Sequence, residues 1–153
     1  MCKLQSVNLK NMTLKEFQIN NFIEKYLKGK GWKISSVARR PGEHGADIVA
    51  SHSKWGKRYI IEIKGESDLH RAQTANNAFW TMLGQVLTRM DIGGNSKNTA
   101  RYYAIGFPKK WEQLYKNKIS NMKYGWKLLK LKVFLVDDKG GVEEKPYSYF
   151  LRS

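Results

Sequence analysis

The chain has a single cysteine, three histidines and no long hydrophobic run, and each scarcity excludes a class of protein. Cys2 alone cannot build a disulfide framework or a cysteine-ligated zinc site, so we expect a reducing compartment such as the cytoplasm. The histidines lack metal-ligand spacing, which also argues against zinc. No apolar stretch approaches the ~20 residues that cross a bilayer. The first residues are polar and lack the apolar core of a signal peptide, so none is expected.

Acidic residues are also scarce. Asp and Glu total 13 against 28 Lys and Arg, which gives a formal net charge of +15 at pH 7. A cationic surface gains affinity for nucleic acid by releasing the counterions condensed on phosphates, so nucleic acid is the expected partner. An anionic membrane surface would favour a basic amphipathic helix, whereas these lysines are spread over the whole chain. A merely soluble basic protein is the remaining alternative.

The sequence pattern favours one α/β domain spanning residues 1–153, in which residues 1–12 form a flexible leading segment. Helices and strands alternate, which predicts a central mixed sheet flanked by helices. The predicted helices are residues 14–30, capped by Thr13 or Asn11, residues 75–90 and residues 108–122. The predicted strands are residues 32–39, a hairpin with its turn at residues 53–57, residues 100–107, residues 131–137 and a short last strand. Residues 65–77 are polar and are predicted to be mobile, or ordered only with substrate.

The hairpin is the most informative stretch, because charged residues interrupt its apolar strands. Along residues 59–64 the side chains alternate between two faces, which puts Glu62 and Lys64 on the same face. Burying ionised groups costs free energy unless they are paired or bind an ion. Asp47, from the preceding strand, can join them as a third member. Two carboxylates and one lysine would form a hard-oxygen site for Mg²⁺, with a cation left over to hold a nucleophilic water.

This arrangement resembles the PD-(D/E)XK nuclease superfamily, in particular its Mrr and Holliday-junction-resolvase branch. Asp47 matches the first acid and Glu62-x-Lys64 matches the (D/E)xK half, although Ala46 stands where the motif has proline. The similarity runs from about Leu14 to Arg89 and, more loosely, to Val136. It implies a restriction-endonuclease-like three-layer fold and a DNA endonuclease dependent on Mg²⁺ or Mn²⁺. In that reading Asp47, Glu62 and the Ile63 carbonyl hold the metal, and Lys64 positions the water.

The resemblance also implies residues on two helices. Relatives often carry a glutamate on the first helix; its position falls nearest Asn20 here, so Glu24 is the favoured accessory acid, with Glu16 as the other candidate. The helix after the lysine often carries a glutamine that faces the site, which indicates a catalytic role for Gln85, unless it is an ordinary buried amide. Arg89 follows four residues later on the same face and could bind phosphate, unless it is an ordinary surface base.

Other basic residues are candidate DNA contacts or ordinary surface residues. His44 could touch phosphate or carry a proton, and Arg39, Arg40, Lys57 and Arg58 flank the hairpin along an expected DNA path. Trp111, Tyr115 and Trp126 are interleaved with lysines; they could stack on bases, but their spacing favours a place in the core.

Two other functions share the expected fold. A junction resolvase would act as a dimer, and a non-catalytic module would bind nucleic acid without cutting it. An E-x-K triplet on an edge strand is also often no more than a solvated ion pair. The sequence contains no recognisable specificity domain, so a partner protein or a structure-specific substrate would have to supply specificity.

Overall fold

The computed structural model describes residues 13–35, 45–66, 71–92 and 100–152. These residues form one six-stranded mixed sheet with helices on both faces, which confirms the predicted α/β class. The strands are β1 (Lys33–Ile34), β2 (Ile48–His52), β3 (Lys57–Ile63), β4 (Ala100–Pro108), β5 (Lys132–Val136) and β6 (Val142–Lys145). The helices are α1 (Glu16–Gly29), α2 (Arg71–Ile92), α3 (Glu112–Ser120) and α4 (Lys123–Leu129), with short 3₁₀ turns at Lys109–Trp111 and Tyr147–Leu151.

The strands lie in the order β1-β2-β3-β4-β5-β6. Strands β3, β4 and β5 run parallel to one another. Antiparallel pairs join β2 to β3, β6 to β5 and β1 to β2. Parallel neighbours need a crossover connection. Helix α2 lies between β3 and β4 in the chain, and α3 and α4 lie between β4 and β5. The carboxyl ends of the parallel strands therefore meet at one edge of the sheet, where β3 ends at Ile63.

Two hydrophobic cores cover the two faces of the sheet, because successive residues of the central strands point in opposite directions. In β4, Ala104 packs in the core under α1, whereas its neighbour Ile105 packs in the core under α2, α3 and α4. The α1 core includes Ile19, Ile23 and Leu27, which recur at helical spacing. Buried apolar residues of the central strands therefore pack against helices on both faces of the sheet.

The observed helices differ from the predicted ones in three places. Helix α1 begins at Glu16, and its N-terminal cap is Lys15 rather than Thr13. The Lys15 backbone N–H donates to Gln18 Oε1 at 2.9 Å. Helix α2 begins at Arg71, so the second half of the segment expected to be mobile is helical. Helix α4 is absent from the predicted elements. Asn11, the leading segment and residues 36–39 of the predicted first strand lie outside the described residues.

Among the described residues, no helix combines the length and the apolar character that crossing a membrane requires.

Candidate active site

Asp47 lies immediately before β2, opposite the carboxyl end of β3. The antiparallel register pairs Ile48 with Ile61, and one step further along the two chains it places Asp47 opposite Glu62, next to Ile63. Asp47 Oδ2 accepts a hydrogen bond from the Ile63 backbone N–H at 2.6 Å. A backbone donor thus fixes the carboxylate beside the E-x-K triplet.

Glu62 is buried, with 1% of its surface exposed, on the face of the sheet that α2 covers. Its partner is Arg89 of α2, whose Nε donates to Glu62 Oε1 at 2.8 Å. Burial raises the pKa of Glu62 to about 7; the hydrogen bond from Arg89 opposes that rise and the negative charge of Asp47 adds to it. Two acids and one guanidinium therefore lie close together in a poorly solvated part of the site. Burial there favours the protonated, uncharged form of Glu62.

Lys64 follows the last residue of β3, and its backbone N–H continues the ladder by donating to the Gly106 carbonyl oxygen at 3.0 Å. Its Nζ lies 3.5 Å from Glu16 Oε2 of α1. Burial raises the pKa of Glu16, although Lys64 opposes the rise, and the charge of Asp47 increases it further. That Glu62 and Lys64 share one face stays a prediction, while their ion-pair partners come from different helices, Arg89 of α2 and Glu16 of α1. Asp47 lies between two ion pairs, each with a different helix.

Gly65 allows the close approach between Lys64 and Glu16. A Cβ at Gly65 would lie 2.2 Å from the Glu16 backbone nitrogen, much closer than a real contact permits. The next residue, Glu66, donates its backbone N–H to the Leu14 carbonyl at 2.8 Å, and its side-chain Oε2 accepts the Leu14 N–H at 2.7 Å. The residues after β3 are thus joined to the start of α1 by backbone contacts.

The acid that α1 contributes is Glu16 rather than the favoured Glu24. Glu24 lies two turns further along the helix and pairs with Lys28 at 3.8 Å. Asn20 lies one turn after Glu16, and its Nδ2 donates to the Asp47 carbonyl oxygen at 3.4 Å. Asn20 is therefore next to Asp47, at the position where the resemblance places the glutamate of the first helix. The first turn of α1 reaches the site because Gly65 brings the two segments together, and spacing along the chain gives no signal of that contact.

Gln85 lies one turn before Arg89 on α2 and is half-buried. Its Oε1 is buried and accepts no hydrogen bond from any described residue. An unsatisfied buried acceptor is costly, so this amide is available to a ligand or a water.

The other expected DNA contacts are distributed differently. Lys57 and Arg58 begin β3 next to the hairpin turn, at the end of the strand farthest from Asp47, and their contact with DNA stays a prediction. Arg39, Arg40 and His44 lie outside the described residues. Trp111, Tyr115 and Trp126 are buried in the core under α2, α3 and α4, so they cannot stack on nucleic acid there.

The donor set at this edge suits Mg²⁺ better than a soft metal. Asp47 and Glu62 supply carboxylate oxygens, and Ile63, which directly follows Glu62, supplies a backbone carbonyl. Mg²⁺ is commonly held by one or two carboxylates together with substrate phosphates. Within the described ranges, no group of three or more His, Cys, Asp or Glu side chains is gathered to hold a metal. Carboxylate and carbonyl oxygens are the hard donors that this cation prefers, so the residues fit the metal.

Comparison with known proteins adds a family and a fold. The Mrr_cat family model, described as "Restriction endonuclease", matches residues 9–94, more than half of the 153 residues, and includes Asp47, Glu62, Lys64 and Arg89. An XisH family protein from Nostoc punctiforme PCC 73102 has a similar structure, with a TM-score of 0.52 and 18% identity over 84% of this chain and 98% of that one. An fdxN element excision controlling factor protein from Anabaena variabilis has a TM-score of 0.54 and 17% identity over 86% and 98%. At these identities the two structures establish a shared fold alone, and no curated protein sequence matches the chain.

Proposed function

The chain belongs to the Mrr_cat family of restriction endonucleases, and we propose that it is a divalent-metal-dependent endonuclease that hydrolyses phosphodiester bonds in DNA. One observation carries the proposal: Asp47, held by the Ile63 N–H, adjoins both the buried Glu62 and the Glu16–Lys64 pair. A net charge of +15 supports a polyanionic substrate.

In this proposal, Asp47 and Glu62 hold Mg²⁺ or Mn²⁺, assisted by the Ile63 carbonyl. A bound metal supplies Lewis acidity toward the scissile phosphate and lowers the pKa of water. Asp47 suits this role because its Oδ2 is already oriented by a backbone N–H at 2.6 Å. Glu62 suits it because its burial excludes competing water.

Lys64 is proposed to orient the attacking water and to offset the negative charge that develops on the phosphate. Glu16 accepts the Lys64 ammonium at 3.5 Å and holds it near the start of α1. Gly65 keeps the two segments in contact. Glu16 is therefore a positioning residue in this proposal, acting through Lys64.

Arg89 is proposed to exchange partners. In this structure its guanidinium supplies the positive charge next to Glu62 Oε1 at 2.8 Å. A divalent cation at Glu62 would release Arg89, which could then bind a phosphate bidentately. Gln85 lies one turn away on the same helix face, and its Oε1, which has no partner among the described residues, could accept a hydrogen bond from a water.

A non-catalytic DNA-binding role is the second candidate. Arg89 already neutralises part of the charge of Glu62, and one structural neighbour is described as an excision controlling factor. A surface that only binds DNA would nevertheless gain little from acids near phosphate, because they repel it. Cleavage is therefore the preferred role.

Incubation with DNA distinguishes the two roles. Supercoiled, linear, branched and single-stranded DNA would each be incubated with Mg²⁺, with Mn²⁺ and with EDTA. We expect nicked or linear products with either metal and intact DNA in EDTA. Stable binding of all four substrates without any metal-dependent cleavage would reject the nuclease and favour the binding role.

A further inference from the structure

A second candidate site lies at the opposite end of β3 from the acids. A cavity of about 450 Å³ opens there on the α1 side of the sheet. It is lined by four aromatic residues, Trp32, Trp55, Tyr59 and Tyr102, by three lysines, Lys30, Lys57 and Lys132, and by Glu144. Tyr59 precedes Ile63 by four residues, so the cavity is about 13 Å from the carboxylates along the strand. Its volume is within the range of small-molecule sites.

The aromatic wall is built around Trp55 in the turn of the β2–β3 hairpin. Trp55 is 53% exposed, and its ring stacks on His52 with centroids 4.0 Å apart and an angle of 15°. His52 is itself buried against Trp32, and its Nδ1 bonds no described residue. Gly31, at φ +85°, turns the chain after α1 and lies so close to His52 that a Cβ would be 3.2 Å from Nε2. The exposed ring of Trp55 therefore rests on a packed support.

The charge around these rings selects an anion. Lys57 Nζ lies 5.7 Å from the Trp55 ring centroid and 5.3 Å from that of Tyr102, and two further lysines line the cavity. Three lysines against one glutamate would repel the cationic ligands that aromatic cages usually bind. A flat ligand that carries a phosphate would instead use both the rings and the ammonium groups.

Glu144 adds a fixed acceptor to the cavity. It accepts hydrogen bonds from the hydroxyls of Tyr26 and Tyr59, which restrict its orientation. Burial raises the pKa of Tyr59, and the hydrogen bond to Glu144 raises it further, so this hydroxyl stays protonated as a donor. A carboxylate so held can accept from an exocyclic amino group, as acidic side chains do from cytosine.

We propose that this cavity binds one unpaired nucleobase together with its phosphate. The base stacks on Trp55 and Tyr102, the lysines hold the phosphate, and Glu144 favours bases with an amino group. The inference goes beyond the proposed nuclease function, because binding here requires neither metal nor cleavage. The same chemistry could be presented by a free mononucleotide or by an unpaired base within a DNA strand.

The test is binding in EDTA to a short single strand that contains 2-aminopurine, whose fluorescence reports stacking, alongside a fully paired duplex and free dCMP. Alanine substitution of a base-stacking aromatic commonly costs about fivefold or more in affinity. We expect Trp55→Ala to weaken single-strand binding by about that factor and to leave duplex binding unchanged. Trp55→Phe should retain binding within about twofold, since it keeps a stacking ring.

Trp80→Ala is the matched control. Trp80 is 55% exposed on α2 and also has a lysine, Lys118, near its ring at 5.5 Å, but it does not line the cavity. Its loss should change neither binding curve. Wild-type affinity in Trp55→Ala, or equal losses in the two variants, would overturn the proposal.

The remaining arms identify the source of the base and separate this site from the nuclease site. Competition by dCMP would support a mononucleotide site, and saturation by oligonucleotides alone would support a base within a strand. Asp47→Asn should bind the single strand as the wild type does, even where it fails to cleave. Loss of single-strand binding in Asp47→Asn would overturn the assignment to the cavity, whereas failure of cleavage alone would count only against the nuclease.

Discussion

At the scale of single residues, Glu62 should make stability depend on pH. Burial raises its pKa from 4.5 to about 7. The folded state therefore holds this proton to a higher pH than the unfolded chain does. The corresponding stability is fully present below about pH 4.5 and is lost as the pH rises through about 7. We expect the free energy of unfolding in EDTA, measured by urea denaturation, to fall by roughly 1–3 kcal/mol between about pH 5 and pH 8.

Glu62→Gln is the control for this pH dependence. The amide keeps an acceptor for Arg89 but cannot ionise, so its unfolding free energy should vary less between the same two pH values. Added Mg²⁺ should restore stability to the wild type at pH 8, because a ligand that binds only the folded state stabilises it. Identical pH profiles for the wild type and Glu62→Gln would assign the dependence to other groups.

Gly65 should be sensitive to a single added methyl group. In Gly65→Ala the new Cβ would meet backbone atoms of Lys15 and Glu16, which cannot move aside as a flexible side chain can. We expect a loss of roughly 1–3 kcal/mol in stability and a larger relative loss of cleavage, because Lys64 and Glu16 separate. Thermal unfolding and cleavage rates would measure the two effects.

Gly29→Ala provides the comparison for that result. Gly29 ends α1 and has nothing within 4 Å of an added Cβ, so its replacement should be neutral or slightly stabilising. Equal effects of the two substitutions would mean that the contact between residue 65 and α1 is unimportant.

At the scale of elements, α2 should contribute to catalysis through Gln85. Gln85→Ala removes a buried acceptor that has no partner among the described residues, so folding should change little. We expect cleavage to fall about tenfold or more if the amide orients water or phosphate. Gln113→Ala, in an exposed glutamine of α3 that bonds Asn117, should cleave at the wild-type rate. Wild-type cleavage by Gln85→Ala would leave this residue as a structural amide.

Some helices and strands could be predicted from the sequence, and others could not. The apolar stripe of α1 and the alternation of β3 are strong local patterns, and both elements were predicted. The start of α2 was missed because residues 71–77 are mostly polar and give no apolar stripe. Helix α4 was missed because Tyr124 and Leu128 are exposed, at 77% and 65%, and Trp126 is its sole fully buried residue.

Within the candidate active site, too, one contact was predicted from the sequence and others were missed. The hairpin spacing predicted that Asp47 would lie beside the end of β3, since antiparallel register follows from the turn. The partners of Glu62 and Lys64 depend instead on which helix residues lie near the end of β3, and local spacing carries no such information. Arg89 was therefore expected to bind phosphate rather than Glu62, and Glu24 was favoured over Glu16. The aromatic cavity was missed because its residues come from six separate elements or turns.

At the scale of the whole molecule, the net charge of +15 should dominate DNA affinity. Each phosphate that a lysine or arginine neutralises releases a counterion, so affinity should fall linearly with salt on a log–log plot. We expect the affinity for duplex DNA in EDTA to fall by about tenfold or more between 50 and 200 mM salt, with little dependence on sequence. Anisotropy titrations would measure it, and unfolding curves at both salt concentrations would verify the fold. Affinity that stays constant over this range would contradict a phosphate-based interaction.

The measurement that tests the central claim most directly compares metal binding with DNA cleavage in two variants, Asp47→Asn and Lys64→Ala. Calorimetry would measure the binding of Mn²⁺ or Ca²⁺. The control is Lys28→Ala, because Lys28 forms a comparable ion pair with Glu24 away from the site. Asp47→Asn should lose most metal affinity, because a hard cation loses a charged ligand, while its DNA binding in EDTA persists. Lys64→Ala should bind metal and fail to cleave, since it removes a cation rather than a ligand. Equal metal binding by Asp47→Asn and the wild type, or full cleavage by Lys64→Ala, would contradict the proposed site.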